Sequence, residues 1–202
     1  MNRHIYLIGY RGSGKTSVGR ILGKLLQMPV LDSDDWLEQH TAKSIRDIFA
    51  SDGELHFRML ETNAIKTLSR LPVPHVFSLG GGAVVRGENV DMIHQSGWVV
   101  WLKASPVQLY SRIHSDHSTA DRRPALTTLS GLDEIESLLT FRSPIYASAA
   151  NLSIETDDRT AADIAEEIYR AYMLASPSWE LESESPLAPD TKPPPDDSKA
   201  PS

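Results

Sequence analysis

Short apolar runs alternate with amphipathic stretches along most of the chain. The apolar runs predict five β-strands, at residues 5–8, 30–32, 75–79, 98–102 and 152–155. The amphipathic stretches predict helices at residues 16–26, 88–94, 106–113 and 161–174. Strands that alternate with helices in this way form a parallel sheet with helices on both faces. We therefore expect an α/β fold with three layers, α/β/α, around a five-stranded parallel sheet.

Two segments interrupt the alternation, and a third follows it. Residues 34–70 predict a mostly helical region that could carry substrate contacts, and the polar residues 114–130 could form a lid. Residues 176–202 are rich in proline, serine and acidic residues. They have too little apolar surface to offset the entropy cost of ordering, so we expect a disordered acidic tail. Residues 1–175 then make one domain, since 40% hydrophobic residues can supply a core.

The formal charge of −7 comes from 20 basic and 27 acidic residues. Six acidic residues and two lysines lie in residues 176–202, so the tail supplies −4 and the domain −3. A domain this close to neutral argues against nucleic-acid binding. No apolar run has the length of a membrane span or a signal-peptide core, so we expect a cytoplasmic protein without a membrane partner. The absence of cysteine excludes disulfides.

Residues 9–16 carry the strongest local motif. They read Gly-Tyr-Arg-Gly-Ser-Gly-Lys-Thr, which matches G-x-x-x-x-G-K-[ST] between a predicted strand and a predicted helix. Backbone N–H groups of such a loop point at phosphate oxygens, and Lys15 adds a positive charge. The Thr16 hydroxyl is placed to ligate Mg²⁺. The motif predicts a nucleoside triphosphate site made by the following residues: Gly12, Ser13, Gly14, Lys15, Thr16 and Ser17.

An acidic cluster, Asp32-Ser33-Asp34-Asp35, ends the second predicted strand. Ligands of open parallel sheets gather at this edge. One carboxylate could help to hold the metal, and another could orient or deprotonate an attacking hydroxyl. The alternative is helix capping, because Asp or Ser before a helix is a good N-cap.

Two arginines could recognise an anionic acceptor. Arg58 lies three residues before Glu61 on a predicted helix, a spacing that often gives only a surface contact. Arg142 lies in a late helix two residues before Pro144, which could mark a kink or a first turn. Each arginine alone could be a solvated charge. Two guanidinium groups that converge on a pocket would bind a carboxylate bidentately.

Gly80, Gly81 and Gly82 follow the third predicted strand, where many phosphate-loop proteins have an acidic residue. Glycines supply no catalytic side chain, but they let a ligand lie against bare backbone. A flexible turn is the alternative.

Arg123 lies in the predicted lid, and Arg112 ends the predicted helix before it. Arg123 could close over the phosphates and stabilise the transition state. Arg112 could stack on adenine, or it could be a charge favoured at a helix C-terminus.

Taken together, these motifs resemble the shikimate kinase family over residues 5–172. The ordered set that carries the resemblance is Gly-x-x-Gly-x-Gly-Lys-Thr, Leu-Asp-Ser-Asp, Gly-Glu-x-x-Phe-Arg-x-x-Glu, Leu-Gly-Gly-Gly-Ala, Arg-Pro and Arg-x-Pro-x-Tyr. The resemblance implies a nucleoside-monophosphate-kinase type of fold, with a lid and an acceptor-binding helical region. It also implies a monomer that uses ATP and Mg²⁺ to phosphorylate the 3-hydroxyl of shikimate, a step of aromatic amino-acid biosynthesis.

The resemblance implies a role for each matching residue. On the acceptor side it implies shikimate contacts from Asp34, Arg58, Gly80, Gly81, Gly82 and Arg142, with both arginines on the carboxylate. On the nucleotide side it implies phosphate contacts from Lys15, magnesium binding by Thr16 and Asp32, a lid role for Arg123 and an adenine contact from Arg112. Lys15, Asp34 and Arg123 would be catalytic. Arg159 is a further candidate for the adenine side, although its register is not fixed.

Two rival functions remain open at this point. Another phosphate-loop kinase, for gluconate or a nucleotide, would share the loop and the sheet but would not need both arginines with three glycines. A non-catalytic nucleotide-binding module could use the tail to bind a partner. Retention of Lys15, Thr16, Asp34 and Arg123 argues against that second rival.

Overall fold

The computed structural model describes residues 3–115 and 131–175. The strands are β1 (His4–Ile8), β2 (Val30–Asp32), β3 (Val76–Ser78), β4 (Gly97–Lys103) and β5 (Leu152–Glu155). The α-helices of these residues are α1 (Lys15–Leu26), α2 (Ser33–Thr41), α3 (Ile45–Leu68), α4 (Gly87–Ser96), α5 (Pro106–Ser115), α6 (Gly131–Ala149) and α7 (Ala161–Ala175). A short 3₁₀ helix covers Ala83–Val85. Most of the predicted lid and the whole predicted tail lie outside the described residues.

The five strands form one parallel sheet in the order β2-β3-β1-β4-β5. Strand β1 is central, since Ile5 pairs with Val76 on one side and Trp98 on the other. The predicted α/β fold with a five-stranded parallel sheet is confirmed. All five strands end at the same edge, so the loops that follow β1, β2 and β3 meet there.

Alternate residues of β1 enter the cores on opposite faces of the sheet. Tyr6 and Ile8 pack into the core below α3, α4 and α6, whereas Ile5 and Leu7 pack below α1 and α7. All four side chains are at most 1% exposed. Burial of an aliphatic side chain contributes about 1.5–3 kcal/mol before entropy costs, so this strand anchors both layers of helices.

The predicted helical region between β2 and β3 consists of α2 and α3. Asp32 caps α2 by accepting a hydrogen bond from the Asp34 N–H, and Ser44 caps α3 by accepting one from the Asp47 N–H. Gly53 interrupts α3 with a non-helical conformation, φ 79° and ψ 171°. The helix therefore consists of two segments, of which the second carries Arg58.

Pro144 lies well inside α6, which excludes the first-turn position that the sequence left open. None of the described helices is long and apolar enough to cross a membrane.

Candidate active site

The phosphate loop connects β1 to α1 and turns sharply at its glycines. Gly9 has φ +138°, and a Cβ atom there would lie 2.5 Å from the carbonyl oxygen of Leu102 on β4. No other residue fits this close approach to the neighbouring strand. The loop ends at Gly14, after which α1 begins with Lys15. The first N–H groups of an α-helix have no carbonyl partner within the helix, so the start of α1 suits an anion such as phosphate.

The motif residues take different positions in this loop. The Lys15 side chain is 9% exposed, and its Nζ donates to the carbonyl oxygens of Gly9 and Tyr10, at 2.9 and 2.8 Å. Its charge thus sits over the loop. Ser13 is buried, whereas Ser17 is exposed on the first turn of α1. Gly12 packs against Ile113 of α5, where a Cβ atom would lie 3.0 Å from the Ile113 Cγ1.

A hydroxyl and a carboxylate meet beside the loop. Thr16 Oγ1 donates to Asp32 Oδ2 at 3.2 Å, and Ser78 Oγ lies 3.5 Å from the same hydroxyl. Burial raises the pKa of the Asp32 carboxyl, and the charge of Asp34 adds to the increase. Asp34 lies in the first turn of α2, where its N–H donates to Asp32 Oδ1 at 3.0 Å. Asp32 is therefore both the helix cap and the partner of Thr16.

These hard oxygen donors suit Mg²⁺. Within residues 3–115 and 131–175, no cluster of three or more His, Cys, Asp or Glu side chains could hold a metal ion. An ion held by Thr16 and Asp32 would complete its coordination with phosphate and water oxygens.

Arg58 is buried in a network of charges rather than placed on the surface. Its guanidinium donates to Glu61 at 2.8 Å and to Glu54 at 3.1 Å, and the Arg58 and Glu61 residues are 9% and 2% exposed. Gly82 leaves the space that the guanidinium occupies, because a Cβ atom there would lie 2.4 Å from Arg58 Nη1. The interpretation of Arg58 and Glu61 as a surface pair was wrong.

Arg142 is the second buried arginine, at 7% exposure. Its guanidinium lies 5.9 Å from the centre of the Tyr10 ring in the phosphate loop. Its Nε has no hydrogen-bond partner among the described residues. Buried donors are rarely left unpaired, so this group suits an anionic ligand.

The glycine run lies between Arg58 and the phosphate loop. Gly82 contacts Arg58, and a Cβ atom at Gly81 would lie 3.4 Å from the Gly9 carbonyl oxygen. The Gly80 N–H donates to Ser33 Oγ, within the acidic cluster, at 3.0 Å. The run is thus a packed part of the site and not a flexible turn.

Arg112 braces the phosphate loop from α5. Its guanidinium donates to the carbonyl oxygens of Gly12 and Thr156 and to the Thr156 hydroxyl, at 3.4, 2.7 and 3.1 Å. The arginine thereby ties the phosphate loop to the segment after β5. Arg159, the other candidate for the adenine side, lies three residues after Thr156 and pairs with Glu167 on α7. Arg123, the predicted lid arginine, lies outside the described residues.

Sequence reasoning missed two side chains that fix the glycine run, Ser33 and Tyr146. Tyr146 donates its hydroxyl hydrogen to the Gly81 carbonyl oxygen. It lies four residues after Arg142, a spacing that places both on one helix face. The four-residue spacing in the sequence indicates that Arg142 and Tyr146 share a helix face, but it does not indicate that Tyr146 contacts Gly81.

Comparison with known proteins agrees with this geometry. The family model for shikimate kinase matches residues 11–173. The shikimate kinase of Rhodopirellula baltica is 43% identical over 169 residues, which are 84% of this chain and 90% of that protein. The shikimate kinase of Symbiobacterium thermophilum is 38% identical over 165 residues, 82% of this chain and 93% of that protein.

A solved structure gives the same answer in three dimensions. The shikimate kinase of Acinetobacter baumannii in complex with shikimate superposes with a TM-score of 0.79. The two proteins are 34% identical, and the match covers 86% of this chain and 94% of that chain. Because the family model extends over most of the domain and its relatives agree in sequence and structure, this chain belongs to the shikimate kinase family.

Proposed function

We propose that this protein transfers the γ-phosphoryl group of ATP to the 3-hydroxyl of shikimate, giving shikimate 3-phosphate and ADP. The observation that carries the proposal is the burial of two arginines next to the phosphate loop. Arg58 lies against Gly82 of the glycine run that packs on this loop, and Arg142 lies against Tyr10 of the loop itself. A phosphate donor site and a carboxylate site thus adjoin each other. The product would serve the biosynthesis of chorismate and the aromatic amino acids.

The two arginines bind the acceptor carboxylate. Glu61 holds one side of the Arg58 guanidinium in a buried pair, whereas Glu54, its other partner, has a side chain that is 59% exposed. The acceptor carboxylate can replace Glu54 without breaking the buried pair. Arg142 supplies the second fork from α6, with its unpaired Nε. Gly80, Gly81 and Gly82 offer bare backbone to the ring of the acceptor.

The phosphate loop holds the donor. The loop residues Gly12, Ser13 and Gly14 and the charge of Lys15 would surround the β- and γ-phosphates, and Ser17 follows on α1. The Ser13 N–H itself donates to the Tyr10 carbonyl oxygen at 3.2 Å, which holds the turn of the loop. Thr16 and Asp32 would hold Mg²⁺, which when bound neutralises charge on the phosphate oxygens. Arg112 donates to the Gly12 carbonyl oxygen of this loop, and its guanidinium would contact adenine.

Transfer is mainly a matter of position. Asp34 orients the acceptor hydroxyl or removes its proton, while Lys15 stabilises charge on the transferred group. The role of Arg123 as a lid arginine and the cytoplasmic location stay predictions from the sequence. We also infer that the protein acts as a monomer, because both half-sites come from one chain. Light scattering on the purified protein tests this.

The function is tested by ADP release from Mg²⁺-ATP with shikimate, gluconate, a nucleoside monophosphate or no acceptor. Only shikimate should stimulate release strongly. Arg58→Lys keeps the charge beside Glu61 but loses the planar fork, so the KM for shikimate should rise about tenfold or more with the KM for ATP nearly unchanged. Arg170→Lys, at an exposed arginine paired with Glu166, is the matched control and should match the parent protein.

Either rival would be recognised in the same assay. Stimulation by gluconate or a nucleotide instead of shikimate would identify another kinase. ATP binding without stimulation by any acceptor would support a binding module.

A further inference from the structure

The glycine run is fixed by a hydroxyl group from another part of the chain. Tyr146 Oη donates to the Gly81 carbonyl oxygen at 2.5 Å. The tyrosine is 1% exposed, and its ring lies 5.6 Å from the Trp101 ring in the core. Because the ring is packed on all sides, the position of its hydroxyl is fixed by the core and not by the loop.

The same helix carries an arginine of the acceptor site. Tyr146 and Arg142 are four residues apart on α6, so both side chains project from one face of the helix. Arg142 reaches the phosphate loop at Tyr10, and Tyr146 reaches the glycine run at Gly81. The hydrogen bond therefore ties the helix that carries Arg142 to the glycine run.

The next glycine transmits any displacement to the other arginine. The Arg58 guanidinium fills the space beside Gly82, where a Cβ atom would lie 2.4 and 2.8 Å from its two terminal nitrogens. A shift of the backbone at Gly81 would move Gly82 and change the space available to Arg58. One hydroxyl thus connects the helix that carries Arg142 with the glycine that lies beside Arg58.

We propose that Tyr146 is a positioning residue for acceptor binding. It acts through the Gly81 carbonyl group to keep the guanidinium groups of Arg58 and Arg142 in the relative positions that bind the acceptor. This inference rests on the proposed function. The hydroxyl does not contact the acceptor. Loss of the hydroxyl frees the backbone of the glycine run. The acceptor must then order that backbone when it binds, so the affinity for the acceptor falls.

The test compares Tyr146→Phe with Tyr172→Phe. Both substitutions remove a buried tyrosine hydroxyl that donates to a backbone carbonyl oxygen, since Tyr172 Oη donates to Arg3 at 3.0 Å. Tyr172 lies on α7, which packs on α1 away from the glycine run. The aromatic ring stays in place in both variants, and thermal unfolding checks that both fold.

Tyr146→Phe should raise the KM for shikimate about three- to tenfold, as expected for one hydrogen bond. The KM for ATP should stay within about twofold of the parent value, and Tyr172→Phe should change neither constant. Calorimetry of shikimate binding should give the same ratio of affinities.

An unchanged KM for shikimate in an active Tyr146→Phe enzyme would overturn the inference and leave the proposed function intact. Equal increases in both KM values, or the same effect in Tyr172→Phe, would also overturn it, since both results indicate general loosening. A parent protein without shikimate-dependent activity would instead contradict the proposed function.

Discussion

Gly82 has no side chain, and the Arg58 guanidinium occupies the space that a side chain would fill. A Cβ atom at this position would lie 2.4 Å from Arg58 Nη1, yet the atom that it meets is the far end of a flexible side chain. We predict that Gly82→Ala folds and displaces the guanidinium from its place. The KM for shikimate should rise about tenfold or more, because a bidentate contact is misaligned, while the KM for ATP changes little. Steady-state kinetics with each substrate varied measures this.

Gly87→Ala is the matched control. Nothing lies within 4 Å of a Cβ atom at Gly87, which begins α4 five residues further along the chain. That variant should keep the parent kinetics. A Gly82→Ala enzyme with an unchanged KM for shikimate would contradict the role given to Arg58.

Single residues mark where prediction from the sequence succeeds and where it stops. The phosphate loop is a local motif, so its position before a helix can be predicted from the local amino-acid sequence. The burial of Arg58 and Glu61 does not, because it depends on space left by Gly82 in a distant segment. The two interpretations of the acidic cluster proved compatible, since Asp32 caps α2 and also accepts from Thr16.

At the scale of elements, Gly53 divides α3 into two segments, the second of which carries Arg58. Gly53 has φ 79° and ψ 171°, a combination that other residues avoid. We predict that Gly53→Ala lowers the free energy of unfolding by about 1–3 kcal/mol through backbone strain. Urea unfolding followed by circular dichroism measures the change.

Steric overlap does not complicate this test, because nothing lies within 4 Å of a Cβ atom at Gly53. Gly87→Ala again serves for comparison, since Gly87 has equal space but no positive φ. If the two variants unfold at the same urea concentration, the break in α3 carries no strain cost and the prediction is wrong.

The predicted strands lie within one residue of the observed bounds at both ends, and this accuracy has a physical reason. Buried parallel strands are continuous apolar runs, and polar residues begin where each strand ends. The break inside α3 was not predicted, because a glycine within a helical pattern does not reveal its dihedral angles. The position of Pro144 in α6 was likewise open, since local sequence does not fix where that helix begins.

For the molecule as a whole, His4 links stability to pH. It lies in β1 at 5% exposure, and its Nδ1 accepts a hydrogen bond from the His75 N–H at 3.1 Å. Burial, followed by the charge of His75, lowers the pKa of His4 below its usual value of 6.5. As the pH falls through 6.5, His4 binds a proton in the unfolded chain but stays neutral in the folded protein. The free energy of unfolding therefore decreases.

We predict that His4→Asn reduces this loss. The asparagine oxygen can accept the same hydrogen bond but does not titrate. Between pH 7 and 5, the free energy of unfolding should fall less steeply in the variant than in the parent, as urea titrations at about five pH values would measure. Above pH 7 the two slopes should agree. Parallel curves over the whole range would contradict the assignment of this pH dependence to His4.

The central place of β1 has a consequence for synthesis. The strand is made first, but its neighbours in the sheet arrive about 70 and 90 residues later, since Ile5 pairs with Val76 and Trp98. At about 5–20 residues per second, a ribosome needs several seconds to deliver both partners. Throughout that interval the apolar run His4–Ile8 has two open hydrogen-bonding edges. Nascent chains of this enzyme are therefore most exposed to aggregation, and most in need of a chaperone, before β4 leaves the ribosome.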